Sequence, residues 1–451
     1  MSSDVHTAVA RPSLAEQRKR VRKAALAAYL GGTLEYYDFY LYGTAATIIF
    51  PKIFFPAGNP ALATISSFAT LAVAYVARPF GALLWGHLGD RIGRKRTLVM
   101  TLSLMGISTF LIGLLPGYGQ AGVWAPILLV LMRVLQGVSA GGETAGAASL
   151  AMEESPIGKR AFYPSLTMSG IAGGLILSSV AFLPVSAMSE ADRLGWGWRI
   201  PFLASALVLV VAFLVRRTLA EPVIFEKAAE QREIQKLPVV TMLKTHPKQL
   251  VQVALMTLSS VPLIVMQSFG LSFAVRAGVP ASTMLWVTIS GNVLSSITIP
   301  LMALLSDRFG RRPVFAGGIL LCAGLIWPWL HAIAAQDVPL IFVFGILIIA
   351  VGSAMPTGVY PAFFAELFNV KVRYSGMSLG MQIGFVLNGF TPLLATTLVG
   401  SSPDWSPAAW IVAVTSVVAA AAALWARETN RLPLEDLGNP ISRSDRRHVH
   451  A

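Results

Sequence analysis

Charge is what this chain has least of. Only 13% of its 451 residues are Asp, Glu, Lys or Arg, whereas 55% are hydrophobic, and its mean hydropathy is +0.66. A soluble protein of this length needs far more polar surface to stay dispersed, so that class is excluded. Cysteine is nearly absent: Cys322 stands alone, which rules out an internal disulfide and a cysteine-rich metal site. His87 and His331 lie near loops without companion ligands, so no metal is expected, and nothing calls for a cofactor. A glycine-rich phosphate loop ending in Gly-Lys-Ser/Thr is missing, which argues against a nucleotide-driven pump. No catalytic set can be assembled, so the chain does not read as an enzyme. Short segments of alternating polarity are also lacking, which excludes a transmembrane barrel.

What the chain has is apolar runs of about 20 residues or more, long enough to cross a ~30 Å hydrocarbon core. Twelve such spans can be placed, so the expected fold is an all-α membrane protein with twelve transmembrane helices. The net charge of +13 is a topology signal rather than a nucleic-acid footprint. With both termini on one side, that side gathers 29 of the 35 Lys and Arg. The other side has Lys52, Arg193, Arg199 and Arg276, and Arg78 and Arg133 lie inside spans. The positive-inside rule then makes both termini cytoplasmic. The expected organisation is a basic tail (1–23), a first helical half (24–219), a charged central loop read as an amphipathic helix (220–248), a second half (249–427) and a polar tail (428–451).

Two charged hinges repeat across the halves. GHLGDRIGRKRT, from Gly86, is matched by ALLSDRFGRRPV, from Ala303. Asp90, Arg91, Gly93 and Arg94 correspond to Asp307, Arg308, Gly310 and Arg311, each 217 residues on. Each hinge reads as a tight turn, with glycine supplying positive φ and Asp accepting bonds from Arg or a helix N-terminus. A second landmark repeats at an offset of 213, where Glu153 and Arg160 match Glu366 and Arg373. Internal duplication follows. All these residues are assigned to a paired cytoplasmic gate, with Glu366 expected in a charge network with Arg373.

The intramembrane charges are the residues able to carry chemistry within the bilayer. Glu35 and Asp38 share a helix face and lie about 16 and 21 Å along the first span, near the bilayer centre. Ionised groups there are costly and usually functional, so Glu35, Asp38 and Glu143 are candidate proton sites. Arg133 can pair its planar guanidinium with a carboxylate, and Gln136 lies one turn on. Arg133, Gln136 and Arg78 are candidate substrate contacts, with Tyr37, Gln382 and Asn388 as further lining residues. A permanent ion pair of Arg133 with Asp38 or Glu143 is the alternative structural reading. The second half has no comparable mid-span acid, so an asymmetric site is expected.

The stretches LEYYDFYLYG, ARPFGALLWGHLGDRIGRK, RVLQGVSAGGE, WGWRIPF, LAEPVIF and AELFNVKVRYSG together resemble the metabolite:proton symporter family of the major facilitator superfamily. That family includes shikimate, α-ketoglutarate, citrate and proline/betaine carriers. The resemblance implies two pseudo-symmetric six-helix bundles, alternating access and a proton gradient as energy source. The chain departs from the pattern at Ala303, at Asn369 and at Thr144, next to Glu143. The expected function is uptake of a small metabolite, an organic acid, with protons, in the inner membrane and as a monomer. A proline/betaine-type osmolyte symporter and a proton-driven exporter are the alternatives. The exporter is disfavoured because SGIAGGLILSS in the fifth span lacks the Gly-Pro signature of that class.

Overall fold

A computed structural model describes residues 29, 32–33, 36–55, 60–92, 94–141, 152, 155, 158–217, 238–369, 372–400, 402–433 and 436–438. Helix dominates, and no strand occurs among the described residues. The principal helices are α1 (36–48), α2 (Pro60–Ile92), α3 (Arg94–Leu114), α4 (Trp124–Ala140), α5 (Phe162–Ala187), α6 (Arg199–Arg217), α7 (Pro247–Arg276), α8 (Ala281–Phe309), α9 (Arg311–Ala334), α10 (Val338–Glu366), α11 (Arg373–Val399) and α12 (Ser406–Trp425). Among the described residues, eight helices are long and apolar enough to cross a membrane, namely most of α2 together with α5 and α7 to α12. Shorter apolar helices cover Val99–Leu114 and Trp124–Ala140. Outward faces carry exposed Leu83, Ile107, Ile127, Leu207, Ile297 and Val417, an apolar surface that suits lipid rather than water.

The helices pack in two groups. α2 and α3 lie against α4, and α3 against α6; α9 lies against α10 and α12, and α7 against α11 and α12. Two seams join the groups, α5 on α8 and α2 on α11. The α2–α4 crossing depends on missing side chains. A Cβ on Gly137 would stand 2.1 Å from the Ala74 carbonyl oxygen, and one on Gly141 2.1 Å from that of Arg78. This close approach sinks Arg133 and Arg78 into the interior, with 0% and 4% exposure.

The hinges are more helical than their glycines imply. α2 continues through Gly86, Asp90 and Arg91 to Ile92, and α3 begins at Arg94. In the second copy, α8 runs through Asp307 and Arg308 to Phe309, and the turn contracts to Gly310 at φ +110°. The Asp307–Arg311 pair spans that turn, and glycine alone takes such a φ without strain. Gly93, Glu35, Glu143 and Glu153 lie outside the described residues, as do the side chains of Asp90, Arg91 and Arg94 and most of the central loop.

Two helices lose their regular pitch in the second group. α7 contains a 3₁₀ turn, Thr257–Ser260, and a π turn, Met266–Gly270; α10 contains a π turn at Ile348–Ser353. A π turn carries one extra residue, which re-aims side chains away from the regular helix face.

Candidate functional site

Arg133 is the centre of a buried polar relay. Its Nη1 donates to Gln136 Oε1 at 2.7 Å and its Nε to the Thr70 carbonyl at 3.4 Å. The guanidinium carbon lies 3.8 Å from the Tyr42 ring centroid and 5.1 Å from that of Phe39. Gln136 Nε2 donates to the Thr109 hydroxyl at 2.7 Å. That hydroxyl can turn its proton to the Met105 carbonyl at 3.0 Å or to the Asp38 carboxylate. Asp38, Thr109, Gln136 and Arg133 thus link α1, α3 and α4 without a direct Asp38–Arg133 ion pair. Asp38 Oδ1 and Arg133 Nη2 are buried and have no partner. Such an atom costs about 1–3 kcal/mol, more when charged. Two such atoms in one relay are positions that a ligand, a proton or a water can satisfy.

Arg78 lies nearby in a cage of rings, 4.7 Å from Phe39, 5.0 Å from Tyr75 and 5.0 Å from Phe385. Phe385 comes from α11, so both helix groups build the cage. Cation–π attraction holds the charge, while Arg78 Nε has no partner.

On the side away from the hinges lies a cavity of about 840 Å³, its open mouth included. Phe39 and Tyr75 border both this cavity and Arg78. They therefore form a partition between the space outside and the guanidinium behind. The remaining wall comes from both groups: Tyr40 and Ser178 on one side, Gln267, Ser268 and Thr288 on the other. No ionisable acid or base other than tyrosine lines it among the described residues.

At the opposite end the groups are bonded together. Asp307 accepts from the backbone N–H groups of Ala161 (3.1 Å) and Phe162 (3.3 Å) at the start of α5, where the helix dipole favours an anion. Arg311 donates to Asp307 at 2.7 Å and to both oxygens of Glu366 at 3.1 Å. Glu366 also accepts from the Thr429 hydroxyl. Glu428 accepts from the N–H groups of Arg311 and Arg312, capping α9. Arg160 donates to the Leu432 carbonyl at 2.6 Å; its 3.9 Å approach to Glu366 is too long for a hydrogen bond.

This two-group arrangement agrees with known proteins. A family model described as "Sugar (and other) transporter" matches residues 24–254, and one described as "Major Facilitator Superfamily" matches 251–445. The Shikimate transporter of Escherichia coli (strain K12) is 37% identical, covering 91% of this chain and 96% of that protein. The chain belongs to the major facilitator superfamily. It is a membrane transporter and not an enzyme. The Proline/betaine transporter of Salmonella typhimurium is 35% identical, over 92% of this chain and 85% of the relative. In fold, the chain matches the xylose transporter XylE from E. coli in a partially occluded inward open conformation, with a TM-score of 0.72 at 19% identity, covering 92% and 100% of the two chains.

In this transporter the structure gathers Asp38, Arg133 and Gln136 into one relay and sets Arg78 beside it. Tyr37 is placed elsewhere: it is 2% exposed and its hydroxyl donates to the Pro201 carbonyl at 2.9 Å. Asn388 ties α11 to α7 through the Thr257 carbonyl and the Ser260 hydroxyl. Gln382 reaches across the seam to the Gly141 carbonyl at 3.3 Å, leaving its Oε1 without a partner. Arg308 is exposed, with its guanidinium by Phe309. Glu366 bonds with Arg311, while Arg373 Nε donates to the neighbouring Ala365 carbonyl. Sequence reasoning missed Thr109, Phe385, Glu428 and Thr429. Only the last two carried a signal, as polar residues directly after an apolar run.

Proposed function

We propose that the chain is a proton-coupled symporter that takes up a small organic acid by alternating access across the inner membrane. The observation that carries this is the Asp38–Thr109–Gln136–Arg133 relay, with an unpartnered carboxylate oxygen at one end and an unpartnered guanidinium nitrogen at the other. A substrate carboxylate supplies the missing acceptor for Arg133. Asp38 takes the proton, and the relay makes each event felt by the other. Glu35 and Glu143 are further proton-carrying residues. All twelve principal helices cross the bilayer in two six-helix halves, with the hinges and both termini cytoplasmic. The hinge-end bonds then close the cytoplasmic gate, and the cavity opens the other way. The transporter acts as a monomer.

Proteoliposomes with an imposed inward proton gradient test this. Labelled shikimate, malate and lactate are offered, and at least one accumulates above equilibrium in the wild type. Asp38→Asn abolishes accumulation while gradient-free exchange persists. Accumulation that survives in Asp38→Asn removes the assigned proton role, and transport of none of the acids removes the substrate class.

A second reading is proline/betaine uptake, favoured by the Salmonella typhimurium relative and by rings able to cage a quaternary ammonium. Here those rings already hold Arg78, which repels a second cation. Labelled glycine betaine in the same assay separates the two readings.

A further inference from the structure

The outer cavity has its own chemistry, distinct from the charged relay. Of the seven hydroxyl residues in its lining, three spend their protons on their own helices: Ser178 on the Leu175 carbonyl (3.0 Å), Thr288 on that of Met284 (3.1 Å) and Ser268 on that of Ile264. Each of these three oxygens keeps acceptor capacity and has no proton to give. Gln267 is the complement. Its Nε2 is buried and has no acceptor, although the residue lines the cavity. It stands in the π turn of α7, where the helix departs from regular pitch, a feature frequent at functional sites. Trp329 in the same lining has a second buried N–H without an acceptor.

We infer that this wall is a subsite for the uncharged hydroxyl groups of the substrate, with Gln267 the residue that sets specificity. An alcohol group both gives and accepts. It can donate to Ser or Thr oxygens and receive from the Gln267 amide, whereas a methyl or methylene can do neither. A site built to hydrogen-bond a hydroxyl rejects the analogue without one, because its own polar group is left unpaired. The transporter therefore selects hydroxylated acids over their deoxy counterparts. This rests on the organic-acid reading above.

Competition in proteoliposomes tests it with matched pairs: shikimate against cyclohexene-1-carboxylate, malate against succinate, and lactate against propionate. In the wild type the hydroxylated member of the transported pair competes about ten-fold better. Gln267→Met, close in size but without the amide, reduces that preference to about two-fold and leaves transport of the deoxy acid nearly unchanged. Gln267→Asn, which keeps an amide, retains part of the preference. Membrane levels are checked by immunoblot, and if the Met variant fails to insert, Gln267→Glu, which lacks the N–H, reads the same loss. Acid transport with an unaltered preference in these variants overturns the subsite while leaving the organic-acid reading intact; the amide then holds only water. Failure of every acid to move overturns the organic-acid reading instead.

Discussion

Among the described residues, two buried clusters of charge stand out, and their centres are finished to different degrees. At the centre of the hinge end, Nε, Nη1 and Nη2 of Arg311 all have partners and both oxygens of Glu366 accept bonds; at its edge, Arg160 Nη1 lacks a hydrogen-bond partner among the described residues. Among α1, α2 and α4, Asp38, Arg78 and Arg133 are equally buried, yet each keeps an atom with no partner. A satisfied buried charge holds structure together, since removing one partner strands the other. An unsatisfied one is a standing cost that a ligand or proton can relieve. Damage at the first cluster should therefore appear as lost stability, and damage at the second as lost transport in a protein that still folds.

The sharpest test is the contrast between two variants. Glu366→Gln leaves the buried Arg311 charge with one carboxylate, Asp307, and should cost roughly 3–5 kcal/mol. It is read as a large fall in the thermal midpoint of detergent-solubilised protein. Arg133→Lys keeps the charge but loses the planar fork that reaches Gln136 and, in the proposed function, the substrate. Uptake should fall about 100-fold, equivalent to ~2.7 kcal/mol, with the midpoint nearly unchanged. If Arg133→Lys unfolds the protein while Glu366→Gln does not, the comparison is reversed.

The sequence made part of this difference visible. Arg133 and Gln136 are one helical turn apart, so their meeting follows from helix geometry. The hinges could be aligned because Asp, Arg and Gly recur at a fixed offset. The Thr109 link was hidden, since a threonine within an apolar helix normally bonds its own backbone and gives no sign of a partner on α1. Phe385 over Arg78 was equally hidden, because a ring in an apolar span looks like lipid-facing or packing surface until α11 is laid on α2. The turn at the second hinge was overestimated because three polar residues in succession read as loop. In fact α8 carries Asp307 to within hydrogen-bond reach of α5. The special place of Gln267 was hidden as well, since no periodicity announces a π turn.

Asp307 gives a smaller effect that tests whether the hinge cluster is also a gate. It bonds across the seam between the groups, so opening that end must break its contacts with Ala161 and Phe162. Asp307→Asn keeps an acceptor but loses the charge that the N-terminus of α5 favours, an effect of up to ~2 kcal/mol. Amide hydrogen exchange at residues 161–162 should accelerate about ten-fold. Unchanged protection would mean that the carboxylate contributes geometry alone.

The smallest effect is expected at the exposed pair of Lys52 and Glu190, which joins the segment after α1 to the loop before α6. The hydrogen bond and charge of Lys52 hold the Glu190 carboxyl below its ordinary range. A carboxylate whose folded-state pKa is depressed stabilises above its unfolded value and loses that contribution as pH falls through the folded value. The loss therefore belongs below about pH 4.5, the ordinary value for this group. Both side chains are more than half exposed, at 54% and 60%, so water and salt screen the attraction. Glu190→Gln should leave uptake at pH 7 unchanged and shift the thermal midpoint by no more than measurement error. A clear loss that disappears in high salt would show that charge pairing on this face matters as much as the buried clusters do.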